Sequence, residues 1–168
     1  SDFTFEFFAK PDISQNTYGY IMSNNINYPG YDAWTTNAWF IHNNHPTSPN
    51  RWRMSVYNIG GWILTSTSPS NTNEWTHIAI VRSGNTFMMF VGGNLEATYT
   101  SSASLDAGTG STPMYIGGDS PSNVYLGAAD ELRITKRAKY TSSFTPPVYT
   151  PATYVVTPNE NYHIADVL

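Results

Sequence analysis

The chain has 168 residues and a formal net charge of −4, which allows one domain with one core and argues against nucleic-acid binding. Aromatic residues reach 15% while charged residues are only 12%, a balance that excludes a disordered chain and a coiled coil. The absence of cysteine excludes disulfides and thiolate metal sites, and no run of about 18 apolar residues predicts a membrane span.

Strand-like runs separated by turn signals recur along the chain, whereas a helical period does not. The first predicted strand begins at Phe3, places Phe3, Phe5 and Phe7 on one face, and ends at Pro11. Nine further strands are predicted over residues 18–23, 37–44, 51–57, 62–66, 75–82, 87–91, 95–100, 114–118 and 124–135. The only predicted helical turn covers residues 137–142. Ten short strands predict two packed antiparallel sheets.

The run 75–82 is apolar on both faces, and this pattern is typical of a strand in the interior of a sheet. The run 87–91 has the same character, and Gly92-Gly93-Asn94 after it predicts a tight hairpin turn. His77 lies inside the first of these runs. We therefore predict a core histidine with one satisfied ring nitrogen, not a catalytic base.

Six motifs follow one another along the chain: residues 3–8 (FTFEFF), 75–82 (WTHIAIVR), 90–93 (FVGG), 115–118 (YIGG), 127–134 (GAADELRI) and 138–147 (AKYTSSFTPP). Together they resemble the motifs of laminin G-like, concanavalin A-like jelly-roll domains. The last ending is typical of such domains in tailed-phage virion proteins and related bacterial surface proteins. The resemblance covers about residues 2–147 and implies an all-β, two-sheet antiparallel jelly-roll sandwich.

We therefore predict a laminin G-like domain over residues 1–147 and a Pro-rich extended tail over residues 148–168. Domains of this family normally have one or two strands before the first motif, which starts here at Phe3. We expect the tail to supply a replacement strand, through residues 154–156 or 164–168, in its own sheet or in a neighbouring subunit. The chain starts without Met, which predicts a processed product or a piece of a longer polypeptide.

The acidic residues do not form the pair that glycan hydrolysis needs, which is two carboxylates on one strand face. No two acids stand two residues apart, and the adjacent Asp130 and Glu131 face opposite sides of a strand. Asp2 and Glu6 are four apart, but Asp2 lies at the start of the chain. The nucleophile elbow of serine hydrolases is also missing. We predict no enzymatic activity.

Carbohydrate binding needs exposed aromatic rings that stack on sugars and polar side chains that bond hydroxyl groups. Two stretches offer both, and their candidate ligand-binding residues are Asn24, Asn25, Tyr28, Tyr31 and Trp34 in the first and Arg51 and Trp52 in the second. Two alternatives stay open for the same residues. The tryptophans belong to the core and the others decorate surface loops, or the aromatic residues are buried at a subunit interface.

Metal binding has two sets of candidates. The resemblance suggests calcium, with Asp32 and Asp119 as the candidate ligands, and no other cofactor is predicted. Ordinary Asx turns are the interpretation that we favour for these residues. His42 and His45 are three residues apart, but no third ligand is evident.

The resemblance and the residues together predict a non-enzymatic extracellular module on the exterior of a virion, in a tail fibre, a whisker or a head decoration. It would attach to surface glycans or pack against other virion subunits, as a homo-oligomer or within a larger assembly. Two alternatives stay open: a secreted or cell-surface bacterial carbohydrate-binding module, and a purely structural capsid-cementing protein. Exposed aromatic side chains at Tyr28, Tyr31 or Trp34 would indicate a lectin, and their burial against a partner would indicate assembly.

Overall fold

A computed structural model describes residues 1–15, 18–24, 38–45, 49–57, 59–105, 114–118 and 123–151. These residues form ten strands: β1 (Phe3–Pro11), β2 (Tyr20–Asn24), β3 (Trp39–His42), β4 (Arg51–Val56), β5 (Gly61–Pro69), β6 (Thr76–Ser83), β7 (Thr86–Val91), β8 (Asn94–Thr100), β9 (Met114–Ile116) and β10 (Gly127–Thr135). Each corresponds to one predicted strand. Within the described part of the chain, no helix is long and apolar enough to cross a membrane.

The strands form two five-stranded sheets in which every strand pair is antiparallel. The first sheet has the order β10-β1-β6-β7-β8, and the second sheet has the order β5-β4-β3-β2-β9. The all-β, two-sheet antiparallel jelly-roll sandwich is confirmed. The interior position predicted for residues 75–82 and 87–91 is confirmed too, because β6 and β7 each have a strand on both sides.

One hydrophobic core lies between the sheets. Phe5 and Phe7 of β1 contribute to it from the first sheet, and Trp52, Met54 and Val56 of β4 contribute to it from the second. The alternation of side chains along each strand explains this division, because every second residue points to the same face. Thr4 and Glu6 therefore point away from the core, to the outer face of the first sheet.

Residues 136–144, called the strap below, cover that outer face and form no helical turn, so this prediction was wrong. The Thr4 hydroxyl donates to the Arg137 carbonyl (2.8 Å) and accepts the Lys139 N–H (3.0 Å). Tyr140 and Phe144 both pack onto the outer side chains of β6 and β7, with their rings stacked 3.6 Å apart. Contacts to the sheet thus replace the hydrogen bonds that a helical turn would make within the strap.

Gly93 lets the strap approach the β7–β8 hairpin, so replacing it should cost more stability than replacing the neighbouring Gly92. The Gly93 carbonyl accepts the Phe144 N–H (2.9 Å), φ at Gly93 is +82°, and a Cβ there would overlap the Phe144 carbonyl oxygen. Gly92 also has a positive φ, but a Cβ there meets no atom within 4 Å. We expect Gly92→Ala to cost about 1 kcal/mol and Gly93→Ala about 2 kcal/mol. Urea unfolding of the two variants measures the difference, and equal losses would contradict the close approach.

Beyond the strap, residues 145–151 continue without strand structure to the end of the described chain. The ring of Tyr149 packs on Trp75 at 4.3 Å and on Phe8 at 5.1 Å between centroids, and its hydroxyl donates to Asp130 Oδ2 (3.0 Å). The chain therefore returns to β10 before residue 152. The two candidate replacement strands, 154–156 and 164–168, lie outside the described residues.

Candidate functional site

The outer face of the second sheet carries two rows of side chains that the strand register aligns. The first row is Ser23, Phe40, Ser55 and Trp62, and the second is Tyr20, His42, Arg53 and Thr65. The inward neighbours of these residues lie in the core, so their own side chains point outward. Both rows cross from β2 to β5.

Aromatic rings connect these rows into what we call the aromatic face: Tyr18, Tyr20, Phe40, His42, His45, Tyr57 and Trp62. Tyr20 and Phe40 are buried, with their ring centroids 4.7 Å apart. Trp62 lies at the β5 end of the face and is 45% exposed. The face therefore has a packed interior and one accessible indole at its margin.

The side chains around Trp62 fix the indole in place. The guanidinium carbon of Arg53 lies 4.9 Å from the centre of the Trp62 ring, a cation–π distance. The His45 ring meets the indole edge-on, with the centroids 4.4 Å apart. Thr65, in the same row as Arg53, is exposed beside them. Because Arg53 is itself fully buried, it covers one face of the indole from below, and the polar groups left beside the accessible ring are Thr65 and His45.

Both histidines of the aromatic face are neutral near pH 7. Burial lowers the pKa of His42 to about 3, and the positive charge of Arg53 acts in the same direction. Its Nδ1 lies 2.7 Å from the Asn44 carbonyl and its Nε2 3.3 Å from the Ser55 hydroxyl, so both ring nitrogens are engaged. Partial burial and Arg53 also lower the pKa of His45, whose Nε2 lies 3.0 Å from the Tyr18 hydroxyl.

Hydrogen bonds engage both ring nitrogens of His42, so neither is available as a metal ligand in this arrangement. Among the described residues, no group of three or more histidine and acidic side chains is placed to hold a metal ion. The candidate calcium ligands Asp32 and Asp119 lie outside the described residues, so the calcium prediction stays a prediction.

Trp52 is not a ligand-binding residue, and this prediction was wrong. The side chain is 1% exposed and packs edge-on against Phe7 in the core, at 6.0 Å between centroids. The alternation along β4 places Trp52 inward and Arg53 outward. The core alternative holds for this tryptophan.

Asn24 is also buried, and its side chain serves the fold. Its Oδ1 accepts the Trp39 N–H at 2.7 Å and so joins the ends of β2 and β3. Arg51 is half-buried, and its carbonyl accepts a hydrogen bond from Arg53 Nη1 (3.4 Å); its role in ligand binding stays a prediction. The remaining candidates lie outside the described residues: Asn25, Tyr28, Tyr31 and Trp34.

A second polar cluster lies under the strap, where the buried Glu6 accepts hydrogen bonds from Lys139 Nζ and the Tyr140 hydroxyl (2.8 Å). His77 Nε2 lies 3.5 Å from Glu6 Oε2, and its Nδ1 has no hydrogen-bond partner among the described residues. Burial raises the pKa of Glu6, but its hydrogen bonds and the charge of Lys139 lower it by more, so the net shift is downward. For His77, burial disfavours the charged ring and lowers the pKa. The predicted core histidine with one satisfied nitrogen is confirmed.

Two packed antiparallel sheets, with one outer face covered by the strap and the other lined with aromatic rings, make up a jelly-roll β-sandwich. The chain belongs to the concanavalin A-like lectin/glucanases superfamily, whose family model matches residues 1–142. The predicted relationship to laminin G-like, concanavalin A-like domains is confirmed. No curated protein sequence matches the chain.

Solved structures with the same fold come from several kinds of protein. One is the CBM40 of the Ruminococcus gnavus IT-sialidase bound to α2,3-sialyllactose, with a TM-score of 0.61, 14% identity, and coverage of 83% of this chain and 77% of that one. Another is domain 4 of AbnA, a GH43 extracellular arabinanase from Geobacillus stearothermophilus, in complex with arabinotriose. Its TM-score is 0.57 at 17% identity, and the match covers 82% of this chain and 61% of that one. A third is the heptameric SAP-like pentraxin from Limulus polyphemus. Its TM-score is 0.52 at 14% identity, and the match covers 83% of this chain and 65% of that one. At these identities, the similarity shows the fold.

Proposed function

We propose that the chain is a non-enzymatic carbohydrate-binding module that holds a sugar ring against Trp62. The observation that carries this proposal is the accessible indole, braced by Arg53 and His45, at the margin of the aromatic face. The apolar face of a sugar stacks on such a ring, and side chains already held by their neighbours lose little conformational freedom on binding.

Polar groups beside the indole provide the second requirement of a sugar site. Thr65 places an exposed hydroxyl next to Arg53, and the imidazole of His45 is neutral at neutral pH. These groups suit the hydroxyls of a sugar, which both donate and accept hydrogen bonds. The absence of an acidic side chain from the described part of the aromatic face argues against glycan hydrolysis there, because hydrolysis needs two carboxylates.

Similar solved structures support a glycan as the class of ligand. Two of the similar solved structures hold oligosaccharides, one a sialyllactose and the other an arabinotriose. The ligand of this chain is proposed as a glycan, because the described residues of the aromatic face supply a stacking ring and neutral hydrogen-bonding groups, which suit sugars of many kinds.

We place this module, as part of the same proposal, on the exterior of a virion, in a tail fibre, a whisker or a head decoration. The support is the sequence of residues 138–147 (AKYTSSFTPP), which resembles the ending of laminin G-like domains in tailed-phage virion proteins. A secreted or cell-surface bacterial carbohydrate-binding module is the alternative setting. A capsid-cementing protein is the alternative function if no glycan binds.

The test is glycan-array binding of the purified chain, followed by calorimetry with the best ligand. We expect Trp62→Ala to raise the dissociation constant about 10-fold or more, because the stacking surface is lost, and Trp62→Phe to retain part of the affinity. Leu95→Ala, an exposed apolar residue on β8 of the other sheet, is the matched control and should bind like the wild type.

Two results would contradict this proposal. Unchanged affinity of Trp62→Ala would move the site away from the aromatic face, and a folded wild type that binds no glycan would favour the cementing alternative. Repeating the array with a chelator tests the calcium prediction, since loss of binding would bring Asp32 and Asp119 back as ligands.

A further inference from the structure

A cavity of about 370 Å³ lies between the two sheets at the side where β10 and β9 are the edge strands. Its walls are mainly aromatic and aliphatic. Phe5 lies between Phe3 and Trp39, with ring centroids 4.7 and 4.8 Å away. Leu105, Met114 and Ile134 complete the apolar lining. Phe3 and Trp39 belong to different sheets, so the cavity opens directly into the core.

The strands that border this cavity expose large apolar side chains. Ile134 on β10 and Met114 and Ile116 on β9 are between 43% and 56% exposed. Val124 and Leu126, which lead from the β9 edge to β10, are 40% exposed. β10 also carries the exposed Glu131–Arg133 ion pair, but the large apolar side chains are concentrated beside the cavity, and an exposed apolar patch on a sheet edge indicates a surface that another segment covers. We call this surface the open side.

The backbone of β10 is available along the same side. Among the described strands β10 pairs with β1 alone, which leaves the other edge of a nine-residue strand without a partner. The pairing with β1 shifts register between Glu6 and Phe8, and Glu131 has a φ of +55°, so the irregularity lies near the middle of the strand. Residues 133–135 beyond it pair regularly with β1, and Ile134 among them lines the cavity.

The charge of the cavity restricts what fits it. Its described lining includes two basic side chains, Arg82 and Lys136, and no carboxylate. The Arg82 guanidinium donates to the carbonyls of Gly84 (2.9 Å) and Ala103 (2.7 Å), so these bonds leave its charge without a counterion. An occupant with apolar side chains and a negative charge would match the lining.

The tail of this chain has that composition and starts close by. Residues 152–168 contain the runs 154–156 and 164–168, two acids and no lysine or arginine. Tyr149 is hydrogen bonded to Asp130, four positions from Ile134 on β10 and hence about 13 Å away. Seventeen residues span up to about 60 Å when extended, so the distance is easily covered.

We propose that residues 152–168 dock along the open side of their own sandwich, where an apolar run pairs with the free edge of β10 and places side chains over the cavity. The acids Glu160 and Asp166 then lie on the side of Arg82 and Lys136. This inference is independent of the proposed glycan site, which is on the outer face of the second sheet.

Cysteine pairs in the full chain test the proposal cleanly, because the natural sequence has no cysteine. Ile134→Cys is combined with Val155→Cys or with Ile164→Cys, and the control combines Thr98→Cys on the opposite edge strand β8 with the same tail cysteines. A disulfide forms readily only where Cα atoms come within about 7 Å. We expect one Ile134→Cys pair to give an intramolecular disulfide at least 10-fold faster than its control.

Two outcomes would overturn the proposal. If neither pair exceeds its control, the tail does not dock on β10. If the disulfides are intermolecular and their yield rises with protein concentration, a second copy occupies the open side instead of the chain's own tail.

Hydrogen exchange gives a readout that needs no cross-link. We expect aspartate substitutions in the docking run, Val155→Asp with Val156→Asp or Ile164→Asp with Val167→Asp, to speed exchange of the amides of residues 133–135 at least 10-fold. Thr153→Asp with Thr157→Asp adds the same charge outside both runs and is the control. Unchanged exchange in both run variants would also reject docking.

Discussion

Replacing Glu6 with alanine is expected to lower the free energy of unfolding by about 3 kcal/mol, because it removes one member of a buried ion pair and leaves its partners uncompensated. Glu6 accepts hydrogen bonds from Lys139 and Tyr140 and lies beside His77. Lys139 keeps some contact with solvent and can rehydrate, which places the expected loss at the lower end of the usual range. Urea unfolding of the variant at pH 7 measures it.

A conservative exchange separates charge from hydrogen bonding. Glu6→Gln keeps an acceptor for Tyr140 but removes the charge, so it should lower the free energy of unfolding by less than Glu6→Ala does. Glu74→Gln, at an exposed position, is the matched control and should change stability by less than about 0.5 kcal/mol. Equal stability of Glu6→Ala and the control would show that the cluster under the strap contributes nothing.

The pH dependence of Glu6 follows from the direction of its pKa shift. The pKa of Glu6 in the folded protein lies below its ordinary value of 4.5, so the contribution of this carboxylate is present above pH 4.5 and is lost as the pH falls through the lower folded-state pKa. The stability gap between the wild type and Glu6→Gln should therefore narrow below about pH 4.5.

Acid should also destabilise the protein through His42, by about 3 kcal/mol at pH 4. Burial lowers the pKa of His42 to about 3 from its ordinary value of 6.5, so below pH 6.5 the unfolded chain takes up a proton that the folded chain does not. Stability is then lost at about 1.4 kcal/mol per pH unit until the folded pKa is reached. Unfolding free energies measured between pH 7 and pH 4 give the slope.

The matched variant for this slope is His42→Gln, which removes the titrating ring from a position where the side chain bonds the Asn44 carbonyl and Ser55. The free energy of unfolding of His42→Gln at pH 7 is expected to be lower than that of the wild type. Between pH 6.5 and pH 4, however, it should fall less steeply, by about 1.4 kcal/mol per pH unit, because one proton fewer is taken up on unfolding. His42 ring signals that titrate near pH 6.5 in the folded protein would contradict the buried, neutral imidazole.

Sequence patterns predicted the strands well because the relevant signals are local. Phe3, Phe5 and Phe7 alternate with polar residues in β1, and Gly92-Gly93 ends β7 where the hairpin turns. The strap was misjudged because its conformation depends on distant partners. Thr4 binds the backbone of Arg137 and Lys139, and no local pattern contains that contact.

The candidate site was harder to predict because exposure depends on strand register. Alternation along β4 already indicated that Trp52 shares a face with Met54, which argues against a ligand-facing ring. Trp62 could not be identified in this way, because Ile63 and Leu64 follow it and both are buried. A register shift between Met54 and Ser55 pairs Trp62 with Ser55 on the outer face. A shift of this kind has no signature in the sequence.

The position of β1 between β6 and β10 has a consequence for synthesis on the ribosome. Both partners of β1 are encoded far downstream, since β6 begins at Thr76 and β10 at Gly127. At about 5–20 residues per second, the 64 residues between Pro11 and Thr76 take several seconds to translate. During that time the phenylalanine-rich β1 has neither neighbouring strand, so it is the segment of the nascent chain on which we expect holdase chaperones to act.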